Sequence, residues 1–95
     1  MTKRSDMRER LEDVHSFPGV FTFKVIGENT SDFVSAVVDV VADTLGEDVD
    51  PDVATRESSG GKHVSVTLDV EVGDADAVID VYEAFGELEQ VRFVL

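Results

Sequence analysis

A ten-residue segment in the second half of the chain, residues 63–72, constrains the fold more than any other feature. Its sequence, HVSVTLDVEV, alternates apolar and polar residues without interruption, which is typical of a β-strand with one buried and one exposed face. The preceding segment, residues 58–62, contains Gly60 and Gly61, which accept a positive φ and indicate a hairpin. The pattern therefore predicts an antiparallel sheet that other elements cover on one face.

The other predicted elements complete a β-α-β-β-α-β order. They are a strand at 21–26, a helix that begins after Asn29, Thr30 or Ser31 and runs to about Leu45, an edge strand at 53–58, a helix between the Gly73-Asp74 turn and Gly86, and a strand at 91–95. Right-handed crossovers place both helices on one face of the sheet. We therefore predict an α+β fold, a ferredoxin-like sandwich with a four-stranded antiparallel sheet.

The alternation also assigns side chains to the two faces of this sheet. In the last strand, Val91, Phe93 and Leu95 are expected on one face, toward the helices. The open face is then expected to be polar and nearly free of aromatic side chains, with Thr22, Lys24, Ser65, Thr67, Asp69 and Arg92 on it. RNA-recognition modules of this topology stack bases on aromatic residues of the central strands, so this face disfavours RNA binding.

The length of 95 residues suits one domain. We predict a flexible or short helical N-terminal arm at residues 1–16 and a single ferredoxin-like domain at 17–95. Four of the eight basic residues lie within the first ten positions, so the arm could contact the acidic body of a neighbouring subunit.

The net charge of −13 limits the classes of partner. An acidic surface repels phosphate backbones and anionic lipids, so neither nucleic acid nor a membrane surface is expected as a partner. The acidic residues are scattered along the chain, which favours adaptation to high internal salt over a docking face for a basic partner. No apolar run reaches a membrane-spanning length and residues 1–13 lack an apolar signal core, so a cytoplasmic location is expected.

Catalytic and metal-binding patterns are not recognisable. The chain has no cysteine and two histidines, His15 and His63, far apart in sequence. The acidic segment that begins at Asp48 resembles the start of a calcium loop, but Val53 replaces the required glycine and Ser59 the required glutamate. We therefore expect no enzymatic activity, no metal and no cofactor.

Six residues are candidates for binding a small ligand. Gly27, Asn29 and Thr30 precede the first long helix, whose free N–H groups could hold an anion, although simple capping also explains them. Lys24 could neutralise a ligand carboxylate or pair with Asp69 across the strands. Ser65 and Thr67 are the polar neighbours expected on the same open face.

Several motifs resemble the small YbeD-like family of bacterial proteins. They are Phe17-Pro18-x-x-Phe21-x-Phe23-Lys24-Val25-x-Gly27, Ser58-Ser59-x-Gly61-x-x-x-Ser65-Val66-Thr67, Tyr82, and Val91-x-x-Val94-Leu95. The resemblance spans about residues 15–95. It implies a ferredoxin-like fold similar to the ACT regulatory domains of amino-acid metabolism, allosteric binding of a small metabolite, and an association with lipoate biosynthesis. It supplies no catalytic residues.

Two functions follow from these observations. The first is a non-catalytic regulatory module that binds a small metabolite, in which an ACT-like homodimer would bring the loop at 27–30 near the subunit interface. The alternative is a protein-interaction adaptor that uses the open sheet face or an edge strand. Exposed apolar residues on the second or fourth strand would favour the adaptor.

Overall fold

A computed structural model describes residues 3–95. The chain forms a four-stranded antiparallel sheet with helices on one face. The elements in chain order are α1 (Lys3–Val14), β1 (Gly19–Glu28), α2 (Phe33–Leu45), β2 (Asp52–Glu57), β3 (His63–Val72), α3 (Ala75–Gly86) and β4 (Val91–Val94). The strand order is β2-β3-β1-β4, and each neighbouring pair is antiparallel. The ferredoxin-like prediction is confirmed, and β2 is an edge strand as its weak pattern indicated.

The core lies between the sheet and the helices α2 and α3. The inward residues of β1 and β3 alternate with exposed ones, as the sequence pattern predicts. Phe23 is completely buried, and its ring lies 5.4 Å from the ring of Tyr82 and 5.8 Å from that of Phe85. From α2, Phe33 reaches the same core. Burial of such a side chain contributes roughly 1.5–3 kcal/mol to stability.

The two long helices begin in different ways. The N-cap of α3 is Asp74, the second residue of the predicted turn, and its carboxylate accepts a hydrogen bond of 2.8 Å from the backbone N–H of Ala77. The N-cap of α2 is Asp32, one residue beyond the predicted window, and its side chain caps no backbone group. The hydroxyl of Thr30 instead donates to the Asp32 carboxylate, over 2.9 Å.

The prediction for the last strand is wrong. Val25 of β1 lies opposite Val94, and Ile26 opposite Phe93, but Gly27 lies opposite Val91. This shift is a β-bulge, which adds one residue to β4 and reverses the side-chain alternation beyond it. Phe93 and Leu95 are therefore exposed, by 65% and 64%, and Val94 packs against the core in their place.

Helix α1 packs against the acidic side of α3. The Arg4 guanidinium contacts Asp80 at 2.6 Å and Glu83 at 3.2 Å, and Arg8 contacts Asp76 at 3.1 Å. The hydrogen bond from Arg8 holds the pKa of Asp76 below its usual range, and that from Arg4 to Asp80 raises the pKa of Arg4. Arg4 and Arg8 thus contact acidic residues of their own chain. The division into an arm at 1–16 and a domain at 17–95 stays a prediction.

Candidate binding site on the open face of the sheet

The face of the sheet opposite the helices has no covering element among residues 3–95. Its central rows follow from the strand register: Lys24 lies opposite Thr67, and Ile26 lies opposite Ser65. On the next strand Phe93 lies opposite Ile26, so an aromatic and a β-branched side chain share a row. The expected polar face with few aromatic residues therefore carries an apolar patch beside its edge.

One end of this face is basic. Lys24 and Ile26 of β1, Arg56 of β2, and His63 and Ser65 of β3 line a shallow depression of about 240 Å³, together with Glu57, Ser58 and Val64. We call Lys24, Arg56 and His63 the basic corner. Two of the six candidate residues, Lys24 and Ser65, line this depression, and Thr67 is the direct cross-strand neighbour of Lys24.

Lys24 and Arg56 of the basic corner have no ion-pair partner in the described part of the chain. The ion pairs within residues 3–95 involve Arg4, Arg8 and Arg92. The expected pairing of Lys24 with Asp69 does not form, because the register places Asp69 opposite Thr22. The Thr22 hydroxyl donates a hydrogen bond of 2.5 Å to Asp69.

The loop candidates have structural partners instead. Asn29 donates through its side-chain amide to the Glu57 carboxylate at 3.0 Å and to the Gly61 carbonyl at 2.9 Å, which fastens the hairpin to the end of β1. Thr30 is engaged with Asp32. A Cβ on Gly27 would overlap the Phe33 ring and the Gln90 carbonyl oxygen. Asn29 adjoins the basic corner through Glu57, whereas Gly27 and Thr30 are not part of it.

The opposite end of the face is acidic. A larger depression of about 450 Å³ is lined by Val20, Val49 and five carboxylates, those of Asp48, Asp50, Asp52, Asp69 and Glu71. Within residues 3–95, no group of three or more His, Cys, Asp or Glu side chains is placed to hold a metal ion. We call these five carboxylates the acidic end.

Sequence reasoning missed Arg56, Ile26 and Phe93. Every residue of β2 is exposed, so the strand has no alternation that would assign Arg56 to a face. The length of the hairpin loop between β2 and β3 could have indicated the face, because the resulting register places Arg56 opposite Ser65. Phe93 was assigned to the wrong face because the bulge is not visible in a five-residue strand.

The fold and this surface define a class of small domain. An uncovered antiparallel sheet of order β2-β3-β1-β4, with α2 and α3 on its other face, is the arrangement of the ferredoxin-like and ACT-like domains. In the described residues, no helix combines the length and the apolar character that crossing a membrane requires.

The chain belongs to a family described as "Protein of unknown function (DUF493)", whose model matches residues 12–95. It is 37% identical to a UPF0250 protein of Yersinia enterocolitica and 34% identical to the UPF0250 protein YbeD of Escherichia coli. Each alignment covers 94% of this chain and 100% of the relative. The resemblance to the YbeD-like family is thereby confirmed.

Two solved structures share the fold. The solution structure of protein HP0495 from H. pylori matches with a TM-score of 0.69 and 17% identity, over 86% of each chain. The ACT domain from GTP pyrophosphokinase of Chlorobium tepidum matches with a TM-score of 0.58 and 12% identity, over 80% of this chain and 94% of that one. At these identities the likeness concerns the fold alone.

Proposed function

We propose that the protein is a non-catalytic regulatory module that binds a small anionic metabolite at the basic corner. The observation that carries the proposal is the set of unpaired cations, Lys24 and Arg56, on an uncovered face. The chain has 21 acidic and 8 basic residues, so two exposed cations without an acidic partner make this part of the face the preferred place for an anion.

The corner has the parts that a carboxylate ligand with an apolar portion needs. A guanidinium binds a carboxylate through two parallel hydrogen bonds, and an ammonium adds a point charge. Ile26 lines the depression and Phe93 lies beside it, so an aliphatic chain could cover both. The volume of about 240 Å³ is below the roughly 300–1,000 Å³ of pockets for drug-sized ligands, which favours a ligand the size of an amino acid or a short fatty acid.

The proposal includes no catalytic role, because the polar and charged side chains of the described residues are exposed to solvent or only partly buried. General acid–base catalysis uses titratable groups whose pKa values a desolvated pocket has shifted. Among residues 3–95 no polar or charged side chain is buried. The groups with shifted pKa values, Arg4, Asp76 and Tyr82, lie on α1 and α3 rather than at the corner.

Thermal unfolding with a panel of amino acids, lipoate, octanoate and nucleotides tests the proposal. A ligand at one hundred times its Kd adds about 2.7 kcal/mol to stability, and each kcal/mol raises the Tm of a domain of this size by roughly 4–8 °C. The shift should disappear in Lys24→Gln/Arg56→Gln and persist in the matched variant Lys3→Gln/Arg10→Gln. A panel without any shift, or a shift that survives in the first variant, would contradict the proposal.

A second function, protein interaction through the open face, is favoured by the exposure of Phe93 and Leu95. Phe93 lies in β4, the fourth strand, and Leu95 is the residue that follows it. Exposed apolar residues on this strand were expected to favour an adaptor. Large exposed apolar side chains that lie together are typical of interaction surfaces.

A further inference from the structure

The outer edge of β2 has no neighbouring strand among residues 3–95, because β2 stands at the end of the sheet order β2-β3-β1-β4. All of its residues are exposed. Proteins usually protect such an edge with a lysine, a proline, a β-bulge or a very short strand. The segment Asp52–Glu57 contains neither lysine nor proline, and its pairing with β3 is regular throughout. This edge is therefore open to another strand.

The opposite edge of the sheet is less suited to pairing. β4 has four residues, and its register with β1 shifts between Ile26 and Gly27. Within β4, Arg92 forms an ion pair with Glu28 of its own chain. A short edge strand next to a bulge is one of the features that prevent pairing between sheets.

Every second residue of β2 points its backbone N–H and C=O groups away from the sheet. The N–H of Ser58 donates to the carbonyl oxygen of His63 at 2.9 Å, so these two residues form a hydrogen-bonded pair. Hydrogen-bonded and non-hydrogen-bonded pairs alternate along an antiparallel ladder, and Arg56, Ala54 and Asp52 therefore bond to β3. The residues that present their backbone groups to the free edge are Val53, Thr55 and Glu57.

A second copy of the chain fits this edge by charge. When two β2 strands pair antiparallel in one continuous sheet, the two-fold axis is perpendicular to the sheet. Asp52 and Arg56 lie on the open face, at equal distances on either side of Ala54. If Ala54 lies opposite its own copy, Asp52 lies opposite the partner's Arg56. Val53 then lies opposite the partner's Thr55, and their outward backbone groups can bond to each other. An axis at Arg56 or at Asp52 would instead place like charges opposite each other.

We infer that the protein forms a homodimer in which the two β2 strands pair antiparallel about an axis at Ala54, so that the two four-stranded sheets become one. An edge strand is the second surface that the sequence suggested for protein interaction, and the inference rests on that function and locates it. Cross-strand pairs of opposite charge and of β-branched side chains both favour the pairing. Val53 is 41% exposed in the single chain and is covered by the partner's Thr55. The ammonium of Lys24, two strands away on β1, stays accessible in both copies.

Disulfide formation at single introduced cysteines tests the position of the axis, because the chain itself has no cysteine. In Ala54→Cys the two cysteines form a non-hydrogen-bonded pair whose Cα atoms are about 4.5 Å apart, which a disulfide can span. This variant should form a covalent dimer in a glutathione redox buffer.

The matched control is Thr67→Cys. Thr67 lies opposite Ala54 on the same face of the sheet, but three strand spacings, about 14 Å, separate it from its copy in the inferred dimer. Its yield of covalent dimer should be at least about tenfold lower than that of Ala54→Cys. Equal yields would mean that the two open faces meet, and no cross-link in Ala54→Cys would place the axis elsewhere; either result overturns the inference.

Thr55→Pro tests the backbone pairing. The N–H of Thr55 points away from β3, so a proline at this position removes hydrogen bonds of the dimer and none of the single chain. The variant should keep the far-UV circular dichroism of the wild type and dimerise at least about tenfold more weakly. The matched control Thr55→Val keeps both the N–H and the β-branched shape, and it should dimerise as the wild type does.

Sedimentation equilibrium up to millimolar protein measures this difference. In about 1 M salt the Debye length is about 3 Å, which screens the repulsion between two chains of charge −13. A wild type that stays monomeric under these conditions would overturn the inference, and so would a folded Thr55→Pro that dimerises as tightly as Thr55→Val. Metabolite binding is measured separately, by the thermal shift of the monomeric Thr55→Pro, in which no partner's Asp52 lies beside Arg56. A missing dimer and a missing ligand are therefore distinct results.

Discussion

The substitution Gly27→Ala separates a structural role of Gly27 from a role in ligand binding. Gly27 lies in β1 beside β4, and a Cβ at this position would come closer than 3.0 Å to the Phe33 ring and to the Gln90 carbonyl oxygen. Neither neighbour can move easily, because Phe33 is completely buried and the Gln90 carbonyl accepts the backbone hydrogen bond of Glu28, at 3.1 Å.

The expected destabilisation follows from two opposing effects. Overpacking of a filled core costs about 1–3 kcal/mol, whereas replacing glycine by alanine lowers the entropy of the unfolded chain and regains about 0.4–1 kcal/mol. The net loss should be about 1–2 kcal/mol, which lowers the Tm by roughly 4–16 °C in a domain of this size.

Urea unfolding and thermal unfolding both measure this loss, and Gly73→Ala is the matched control. A Cβ on Gly73 meets no atom within 4 Å, so this variant should be as stable as the wild type or slightly more stable. In the double variant Gly27→Ala/Phe33→Leu the two changes should be less than additive, because the smaller side chain relieves part of the overlap. Equal stability of the two alanine variants would refute the packing argument.

Three further predictions concern the rest of the molecule. Because Arg8 lowers the pKa of Asp76, the contacts between α1 and α3 should persist above the ordinary pKa of 3.8 and weaken as the pH falls through the lowered value; NMR shifts of α1 in the wild type and in Arg8→Gln would show this. Phe23→Ala should cost about 3–5 kcal/mol in urea unfolding, whereas Phe93→Ala, at an exposed position, should change stability by less than about 0.5 kcal/mol. Burial raises the pKa of Tyr82 above 10.0, so stability should fall as the pH rises past that value, and Tyr82→Phe should remove the fall.

The elements that local pattern determines could be predicted from the sequence. The alternation of β3 reports burial directly, and the carboxylate of Asp74 before an apolar helical pattern identifies the start of α3. The assignment of Phe93 failed because the bulge depends on pairing with β1, which is distant in sequence. The helix at Lys3–Val14 has no apolar stripe that could predict its docking. Arg4 and Arg8 form ion pairs with α3, and Leu11 alone of this helix packs against the core.

The candidate site was predictable only in part for the same reason. Lys24 was identified because a lone cation stands out in an acidic chain, and Ser65 because β3 is regular. The basic corner as a unit depends on the lateral order of three strands, β2, β3 and β1. That order follows from the fold, but the register that brings Arg56 beside Ser65 follows from the length of the hairpin.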